Sequence, residues 1–330
     1  MTRRILIAGG AGFVGFHVAS RLAREPDTEL VLVDNLRRGR LDADLERLLA
    51  GGRVRLVQGD LTTEAIYTQL GEGYAEVYHL AAVIGVKNVI ERPYDVIRIN
   101  ALATLKLLDW FVAGGGQRFL FASTSEAYAW TQQFHTLPVP TPENVPLALT
   151  DLSNPRSSYA GSKIFGELAV THACARHQKP FAIVRFHNIY GPRMGYEHVI
   201  PELYGRTVAG ENPLVVYSAD HRRAFCYVDD AVDLMLLALR EKAGEGQTFN
   251  VGNDREEITM GDLAKKILAG AGVTAAIEPR AAANDPIRRR CPDVSKARML
   301  FGYDPRVSLD EGLDRTLAWY AKNPKPQAAP

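Results

Sequence analysis

The sequence predicts an α/β fold: a doubly wound parallel sheet joined to a smaller second domain. Two observations carry this prediction. Short apolar runs recur up to Phe186, and such continuous runs are typical of parallel strands buried on both faces. Segments with helical spacing separate the runs at the distances expected of βαβ units.

Six segments have the pattern of buried strands, and three longer segments between them have the period of helices. The predicted strands are Arg4–Ala8, Glu29–Asp34, Arg53–Val57, Glu76–Leu80, Arg118–Ala122 and Pro180–Phe186. The predicted helices are Gly12–Arg24, Pro93–Val112 and Ser158–Arg176. In the second of these helices, the residues that we expect to face the core are Ile97, Leu105, Leu108 and Phe111.

After Asn188 the alternation becomes irregular. Further elements are predicted at Val199–Ala209, Leu214–Tyr217, Phe249–Val251, Met260–Ala269 and Leu309–Tyr320. We predict a main domain over residues 1–188, with returns to its sheet near 224–252. Residues 189–330 are predicted to form mainly a smaller C-terminal α/β lid that binds substrate. The segment from Tyr128 to Asn154, which has no clear period, predicts a long loop over a site.

Composition excludes several classes of protein. Lys plus Arg total 39 and Asp plus Glu total 38, so a broad basic surface for nucleic acid is not indicated. The three cysteines are scattered without a CxxC pair, which disfavours a zinc site and a disulfide framework and favours a reducing compartment. The N-terminal apolar run is too short for a signal peptide, and no run approaches membrane-spanning length. We therefore expect a cytoplasmic protein without metal or membrane partners.

A glycine-rich turn follows the first strand. Residues 9–15 read GGAGFVG, which contains G-x-G-x-x-G between a strand and a helix. Glycines there allow a close backbone approach to a pyrophosphate, and the helix N-terminus supplies N–H donors. Asp34 ends the second strand, where an acid binds a ribose 2′-hydroxyl and repels a 2′-phosphate. Residues 1–188 are thus predicted to be a Rossmann-type NAD-binding domain. Arg37 and Arg38 nearby weaken the preference for NAD over NADP.

Two further polar residues lie at strand ends. Asp60 follows the third strand, where it would either meet the adenine or cap the next helix. His79 ends the fourth strand, and we expect a packed, hydrogen-bonded side chain there rather than a catalyst.

Tyr159 and Lys163 share one face of a predicted helix because they are spaced i, i+4. A tyrosine with a pKa of about 10 is a poor base at neutral pH. A nearby ammonium group and a positive nicotinamide would lower that pKa, so that Tyr159 could take a proton from a sugar hydroxyl.

Thr124 and Glu126 lie at the end of the fifth strand, at the sheet edge where ligands of such folds bind. Thr124 would share the hydrogen bond to the substrate hydroxyl. Glu126 would act as a base at the next carbon, or would position a carboxylate or water. A surface or salt-bridging glutamate is the competing interpretation.

Taken together, the motifs resemble the extended short-chain dehydrogenase/reductase family of nucleotide-sugar epimerases and dehydratases. The segments that carry the resemblance are GGAGFVG, Asp34, HLAA at 79–82, STSEAY at 123–128, YAGSK at 159–163 and RAFCYVDD at 223–230. The resemblance implies NAD-dependent oxidation of a hexose 4-hydroxyl, with tyrosine as the base. It also implies a homodimer built from the helices that contain Leu105 and Tyr159.

The first expectation is an epimerase that acts through a 4-keto hexose. UDP-glucuronate decarboxylation or 4,6-dehydration assisted by Glu126 follows closely, because Thr124-Ser125-Glu126 is similar to the decarboxylases and some dehydratases. Two more functions are compatible with the fold: a non-catalytic NAD-binding sensor and an NADPH-dependent ketone reductase. The intact Thr124, Tyr159 and Lys163 argue against the sensor, and Asp34 argues against the reductase.

The resemblance also assigns residues in the second half of the chain. Asn188 is at a position where the family contacts the diphosphate or the hexose, and Arg223 and Arg290 are expected to neutralise the diphosphate. The run Arg288–Arg290 could instead form a solvated surface. Lys87 is expected either to contact the nicotinamide ribose or the substrate, or to be solvated.

The predicted site residues fall into three sets. The catalytic set is Thr124, Glu126, Tyr159 and Lys163. The cofactor set is Gly9, Gly12, Phe13, Val14, Gly15, Asp34, Asn35, Asp60, Leu61, Leu80, Ala81, Ala82, Lys87, Asn100, Tyr159 and Lys163. The substrate set is Lys87, Thr124, Ser125, Glu126, Asn188, Arg223 and Arg290.

Overall fold

The computed structural model describes residues 2–134, 136–281 and 287–325. Its strands, in chain order, are β1 (Arg3–Ala8), β2 (Thr28–Asp34), β3 (Val54–Gln58), β4 (Tyr74–His79), β5 (Gly116–Thr124), β6 (Phe181–Phe186), β7 (Ile189–Tyr190), β8 (Leu214–Tyr217), β9 (Arg222–Ala224), β10 (Cys226–Tyr227), β11 (Gln247–Val251), β12 (Glu257–Thr259), β13 (Ile277–Arg280) and β14 (Arg289–Arg290).

The α-helices lie between and after these strands. They are α1 (Phe13–Leu22), α2 (Ala43–Ala50), α3 (Ala65–Leu70), α4 (Val86–Glu91), α5 (Pro93–Trp110), α6 (Glu126–Ala129), α7 (Thr131–Phe134), α8 (Ser157–Arg176), α9 (Val199–Val208), α10 (Val228–Arg240), α11 (Met260–Gly270), α12 (Ser295–Phe301) and α13 (Leu309–Lys322). A π-helical turn extends α5 over Phe111–Gly115, and a 3₁₀ turn spans Lys242–Gly244.

The main sheet has seven parallel strands in the order β11-β6-β5-β4-β1-β2-β3. The predicted fold class is therefore confirmed, and each of the six predicted strands lies within two residues of an observed one. The strand order reverses at β1, which pairs with β2 on one side and β4 on the other. A reversal of this kind opens a crevice at the carboxyl ends of the strands, where ligands of open α/β sheets bind.

The second half of the chain both returns to this sheet and builds smaller ones. β11 adds to the sheet edge beside β6, within the region 224–252 where a return is predicted. β12, β9 and β14 form a separate three-stranded sheet, and β8 pairs with β13. The division at 188/189 stays a prediction.

The orientation of α5 differs from its prediction in part. Leu108 and Phe111 are buried as expected, but Ile97 is 46% exposed and Leu105 is 39% exposed. The expectation that these two residues face the core is therefore wrong. The helix packs on α8 with one stripe and presents a second apolar stripe to the outside. Helical spacing alone does not separate a core face from such an outer face.

The segment that follows α7 is held to the second half of the chain. Thr141 donates its N–H to the Cys291 carbonyl at 2.9 Å, and the Asp293 N–H donates to the Thr141 carbonyl at 2.9 Å. The Glu143 carboxylate accepts the backbone N–H of Asn250 at 2.9 Å. These contacts keep the segment beside β11 and the end of β14, where the arginines of that short strand lie.

Within the described parts of the chain, no helix combines the length and apolar character that crossing a membrane requires. A cytoplasmic location stays a prediction.

Candidate active site

A cleft of about 620 Å³ opens at the carboxyl ends of β1, β2, β4 and β5. Every predicted cofactor residue lines it except Lys87, which is exposed on α4 outside the lining. Of the predicted substrate residues, Thr124 and Asn188 line it as well. The cleft therefore brings together residues from Gly9 to Asn188, and the segment up to His198 closes its far side.

The glycine turn has no room for side chains. Gly9 has φ +83°, and a Cβ added there would lie 2.7 Å from the backbone nitrogen of Ala81. A Cβ added at Gly15 would overlap the carbonyl oxygen of Gly9. The N-cap of α1 is Gly12, so the free N–H groups of the first helical turn face the cleft without a capping side chain. This cradle fits a pyrophosphate.

Asp34 stabilises the glycine turn by accepting backbone hydrogen bonds. Its carboxylate accepts the N–H of Ala11 at 3.1 Å and the N–H of Leu36 at 2.9 Å. Burial raises the pKa of Asp34, and these backbone donors oppose the increase. The carboxylate also lines the cleft, where an acid at the end of β2 suits a ribose diol and opposes a 2′-phosphate. The chain's own residues therefore fit NAD.

Asp60 and Asn100 line the cleft, and their side chains form hydrogen bonds with neighbouring groups of the chain. Asp60 accepts both the N–H and the hydroxyl of Thr62, at 3.0 and 2.8 Å, as in a turn that starts a helix. The Asn100 side chain accepts the N–H of Val83 at 2.7 Å and donates to the Val83 carbonyl at 3.1 Å. Asn100 thereby fixes the segment after β4.

His79 is buried beside Thr104, with 3.0 Å between its Nε2 and the threonine hydroxyl. Burial lowers the pKa of His79 to about 3, so the ring is neutral at physiological pH. This is the environment of a packed residue rather than of an acid–base catalyst.

Thr124, Tyr159 and Lys163 meet at the end of β5. The Thr124 hydroxyl lies close enough to the Tyr159 phenol to lower its pKa. Lys163 lies one turn further along α8, with its Nζ 6.0 Å from the centre of the Tyr159 ring, and donates to the Ala122 carbonyl at 2.8 Å. Burial lowers the pKa of Lys163 to about 8, partly opposed by the charge of Glu167.

The expected depression of the Tyr159 pKa is not produced by the chain alone. Burial raises the pKa of Tyr159 to about 12, and Glu126 adds to the increase. The Thr124 hydroxyl and the charge of Arg38 oppose it. Lys163 directs its ammonium group to the carbonyl of Ala122.

Glu126 forms an ion pair with Arg290, although 164 residues separate them in the chain. Burial raises the pKa of Glu126, but the charges of Arg290, Arg156 and Arg223 outweigh it and hold that pKa below its usual value. Glu126 is therefore an ionised carboxylate among three guanidinium groups. Its backbone N–H donates to the Thr124 hydroxyl at 3.2 Å, which places this group directly beside the threonine predicted to be catalytic.

The short strands β9 and β14 explain why only some arginines face Glu126. Arg223 pairs with Arg290 and Arg222 pairs with Arg289, so the two pairs project from opposite faces. Arg222 and Arg289 contact Glu257 on one face, and Arg223 and Arg290 influence Glu126 on the other. Within the run 288–290, Arg289 thus contacts Glu257 on one face and Arg290 reaches Glu126 on the other.

The remaining predicted substrate residue, Asn188, has φ +42° and donates its side-chain amide to the Ala224 carbonyl at 3.0 Å. Arg156 near the start of α8 was not among the predicted residues, because an isolated arginine in an irregular segment gives no pattern to detect. Arg185 was also missed, although a charged residue inside the apolar strand β6 signals a buried partner.

Comparison with known proteins identifies the family. The profile of the NAD dependent epimerase/dehydratase family matches residues 5–252. The chain belongs to this family. It is therefore an NAD-dependent enzyme of the extended short-chain dehydrogenase/reductase type.

Two curated relatives of this family member match along nearly the whole chain. UDP-N-acetyl-alpha-D-glucosaminuronate decarboxylase from Bacillus cytotoxicus is 30% identical over 97% of this chain and 98% of its own length. UDP-glucuronic acid decarboxylase 5 from Arabidopsis thaliana is 32% identical over 94% of this chain and 87% of its own length.

Solved structures of the same architecture belong to enzymes with other names. UDP-glucose 4-epimerase from Thermotoga maritima superposes with a TM-score of 0.82 at 27% identity, covering 98% of this chain and all of the other. A dTDP-glucose 4,6-dehydratase from Streptomyces venezuelae, solved with NAD bound, superposes with a TM-score of 0.84 at 26% identity, covering 97% of both chains. The family enzyme described here thus has similarity to decarboxylases, epimerases and dehydratases.

Proposed function

We propose that this enzyme decarboxylates a UDP-linked uronic acid through a 4-keto sugar. The observation that carries the proposal is the ion pair between Glu126 and Arg290, flanked by the charges of Arg156 and Arg223 beside Thr124. Three guanidinium groups around one carboxylate leave net positive charge beside Thr124, which lines the cleft. Such a positively charged region suits a substrate that carries a carboxylate of its own.

The first step is oxidation of the sugar at C4. NAD, when bound, supplies the hydride acceptor and later returns the hydride to the same carbon. The glycine turn and Asp34 would hold its diphosphate and ribose, and Tyr159 and Lys163 would face its nicotinamide end. With its pKa lowered by the positive charge of a bound nicotinamide, Tyr159 would act as a phenolate and take the proton of the C4 hydroxyl, and Thr124 would orient the phenol oxygen.

The second step breaks the bond between C5 and the carboxylate. A uronic acid oxidised at C4 is a β-keto acid, so the electron pair of the broken bond delocalises onto the C4 oxygen as an enolate. Carbon dioxide leaves, and C5 then takes a proton from solvent or from a protonated side chain. Reduction of the C4 ketone completes a pentose product, and the enzyme returns to its starting state.

In these reaction steps, Glu126 is suited to accept hydrogen bonds and unsuited to donate a proton. Because Arg290 keeps the pKa of Glu126 low, the group accepts hydrogen bonds and does not donate a proton at neutral pH. It can therefore fix Arg290 and orient a substrate hydroxyl or water. When neutral carbon dioxide leaves, the negative charge of the substrate carboxylate passes to the C4 oxygen of the enolate, and protonation of C5 restores the ketone.

Epimerisation at C4, the first expectation from the sequence, is the second candidate. The structural similarity to the Thermotoga maritima UDP-glucose 4-epimerase favours it. Epimerisation at C4 would use the same Thr124, Tyr159 and Lys163, and it breaks no bond to a carboxylate. The curated relatives named above are decarboxylases and support the first candidate.

The deciding experiment is product analysis by mass spectrometry and NMR with UDP-glucuronate, UDP-N-acetylglucosaminuronate, UDP-glucose and dTDP-glucose. Loss of carbon dioxide from a uronate is the expected result. An unchanged mass with a new sugar spectrum would establish the epimerase instead, and loss of water would establish a dehydratase.

Glu126→Gln separates the two steps within one protein. We expect reduction of bound NAD by the uronate to persist while release of carbon dioxide falls at least tenfold, because the arginine loses its charged partner. Glu257→Gln is the matched control, since Glu257 pairs with Arg222 and Arg289 on the opposite face of the same small sheet. Equal product flux in Glu126→Gln and the control would assign Glu126 a purely structural role.

We further propose that the enzyme is a homodimer across α5 and α8. Adjacent stripes on the two helices leave large apolar side chains exposed: Tyr94, Ile97 and Leu105 on α5, and Phe165 and Leu168 on α8. The two helices pack against each other, so these stripes form one continuous apolar face. A second copy of the same face would bury it as a four-helix interface.

A further inference from the structure

Arg38 stands apart from the other arginines that line the cleft. Arg37 lies 3.8 Å from the Asp60 carboxylate, and Arg92 lies 2.7 Å from that of Asp95. Arg193 bonds Asp42 at 2.9 Å, and Arg40 stacks on a tyrosine ring at 4.3 Å. Among the described residues, Arg38 has neither a carboxylate within ion-pair distance nor an aromatic ring against its guanidinium group, and it is an exposed residue.

The guanidinium group of Arg38 spans the cleft. Its Nη2 lies 3.5 Å from Nε2 of His198, and a Cβ added at Gly195 would lie 3.0 Å from the same Nη2. On another side, a Cβ added at Gly85 would lie 3.8 Å from Nη1. Arg38 thus reaches from the loop after β2 to the segment that precedes α9, past the start of α4.

The surroundings of this guanidinium group favour an anion in the same place. His198 is the N-cap residue of α9, a helix of ten residues, so Arg38 lies beside the residue at the positive end of that helix. His198 cannot offset the charge, because burial and the charge of Arg38 lower its pKa to about 4. Glu197 is the nearby carboxylate, and its charge acts on Arg38 from beyond ion-pair distance. A cation held against a helix N-terminus is unfavourable until a negative group lies between them.

The two segments are tied together independently of Arg38. Arg193 donates through Nε to Asp42 at 2.9 Å and through Nη2 to the Arg40 carbonyl at 3.1 Å. The loop of Arg38 is also fixed to the glycine turn, since the N–H of Arg40 donates to the Ala11 carbonyl at 3.2 Å. The loop that carries Arg38 is therefore held beside both the segment before α9 and the glycine turn.

We propose that Arg38 binds a diphosphate group of the ligand in the cleft and holds the loop after β2 against the start of α9 over that group. The assignment requires NAD or a nucleotide sugar as the ligand and does not depend on which reaction follows. A guanidinium group matches a diphosphate because its parallel N–H groups reach two oxygens at once. NAD and a nucleotide sugar both carry a diphosphate, so binding measurements must show which of the two ligands Arg38 contacts.

The test is equilibrium binding of four probes to the full chain freed of nucleotide: NAD, ADP-ribose, adenosine and UDP. Arg38→Ala should weaken NAD and ADP-ribose about tenfold or more, the loss typical of a hydrogen bond to a charged group. Adenosine, which has no phosphate, should bind unchanged. A loss confined to UDP would place Arg38 on the diphosphate of the sugar nucleotide and would keep the proposal.

Arg47→Ala is the control, because Arg47 is an exposed arginine of α2 that pairs with Asp44 and does not line the cleft. Arg38→Lys keeps the charge without the planar fork and should give an intermediate loss. Raising the salt concentration should weaken the native chain more than Arg38→Ala. Two results would overturn the proposal: dissociation constants for all phosphate probes within twofold of the native chain, or an equal loss for adenosine.

Discussion

The buried ion pair of Glu167 and Arg185 lies next to the residues that we propose to be catalytic. Breaking this pair tests whether it stabilises the fold and influences Lys163. Nε and Nη2 of Arg185 donate to the two oxygens of the Glu167 carboxylate, at 2.8 and 2.6 Å. Ser123 and Tyr128 complete the network by bonding to the carboxylate and to Nη1 respectively. Glu167 follows Lys163 by one turn of α8, so the pair links the catalytic helix to β5 and β6.

Glu167→Gln leaves the guanidinium group of Arg185 buried without its countercharge. Both side chains are more than 90% buried, and breaking such a pair from one side costs about 3 kcal/mol or more. For a chain of this length, that loss lowers the melting temperature by roughly 4 °C. The amide keeps part of the hydrogen bonding, so the fold should survive.

The same substitution acts on the chemistry through Lys163. The charge of Glu167 raises the pKa of Lys163 against the effect of burial, which brings it to about 8. Without Glu167, this pKa falls further, and the ammonium group is lost at a lower pH. We therefore expect the alkaline limb of the pH–rate profile to move to lower pH.

Urea unfolding and the pH–rate profile measure these two effects separately. Glu202→Gln is the control, because Glu202 pairs with Arg206 on the surface of α9, where an ion pair contributes about 0.5 kcal/mol. A cost for Glu167→Gln no larger than that of this control would refute the role of the pair in stability. An alkaline limb that stays in place would refute its influence on Lys163.

Four further outcomes follow from the structure. Gly15→Ala forces a Cβ onto the Gly9 carbonyl, so calorimetry should show NAD affinity lowered at least tenfold; native affinity would mean that the turn can open. Tyr159→Phe should bind NAD normally and give no absorbance of reduced cofactor with substrate; turnover would remove Tyr159 as the base. Burial holds the pKa of His79 at about 3, so His79 takes up a proton on unfolding below about pH 6.5. The free energy of unfolding therefore falls as the pH is lowered, by up to about 1.4 kcal/mol per pH unit. His79→Leu should flatten this dependence in urea titrations. Leu168→Glu should convert a dimer to a monomer in light scattering, whereas Met299→Glu, at an exposed site on α12, should not.

Local sequence patterns were sufficient for the sheet and for the glycine turn. β1 and β2 are continuous apolar runs, and the turn between β1 and α1 needs glycines that stand next to each other in the chain. Tyr159 and Lys163 are four residues apart on one helix, so their proximity follows from helical geometry alone. Each of these features depends on residues close together in the chain.

The chain's long-range contacts could not be predicted in this way. β14 has two residues, which is too short to give a pattern, yet it brings Arg290 to Glu126 across 164 residues. The stripe of Ile97 and Leu105 has the period of a core face, and only the packing of α5 in the folded chain shows that it is outside.

The sequence by itself determined the fold class, the NAD cradle and the tyrosine–lysine pair, because helix and strand periods fix where neighbouring side chains point. Only the folded chain shows which charges meet, Glu126 with Arg290 and Glu167 with Arg185, and that Arg38 lies beside the neutral His198. A charge carries no periodic signal of its partner, and its energy depends on the burial and geometry that the folded chain creates.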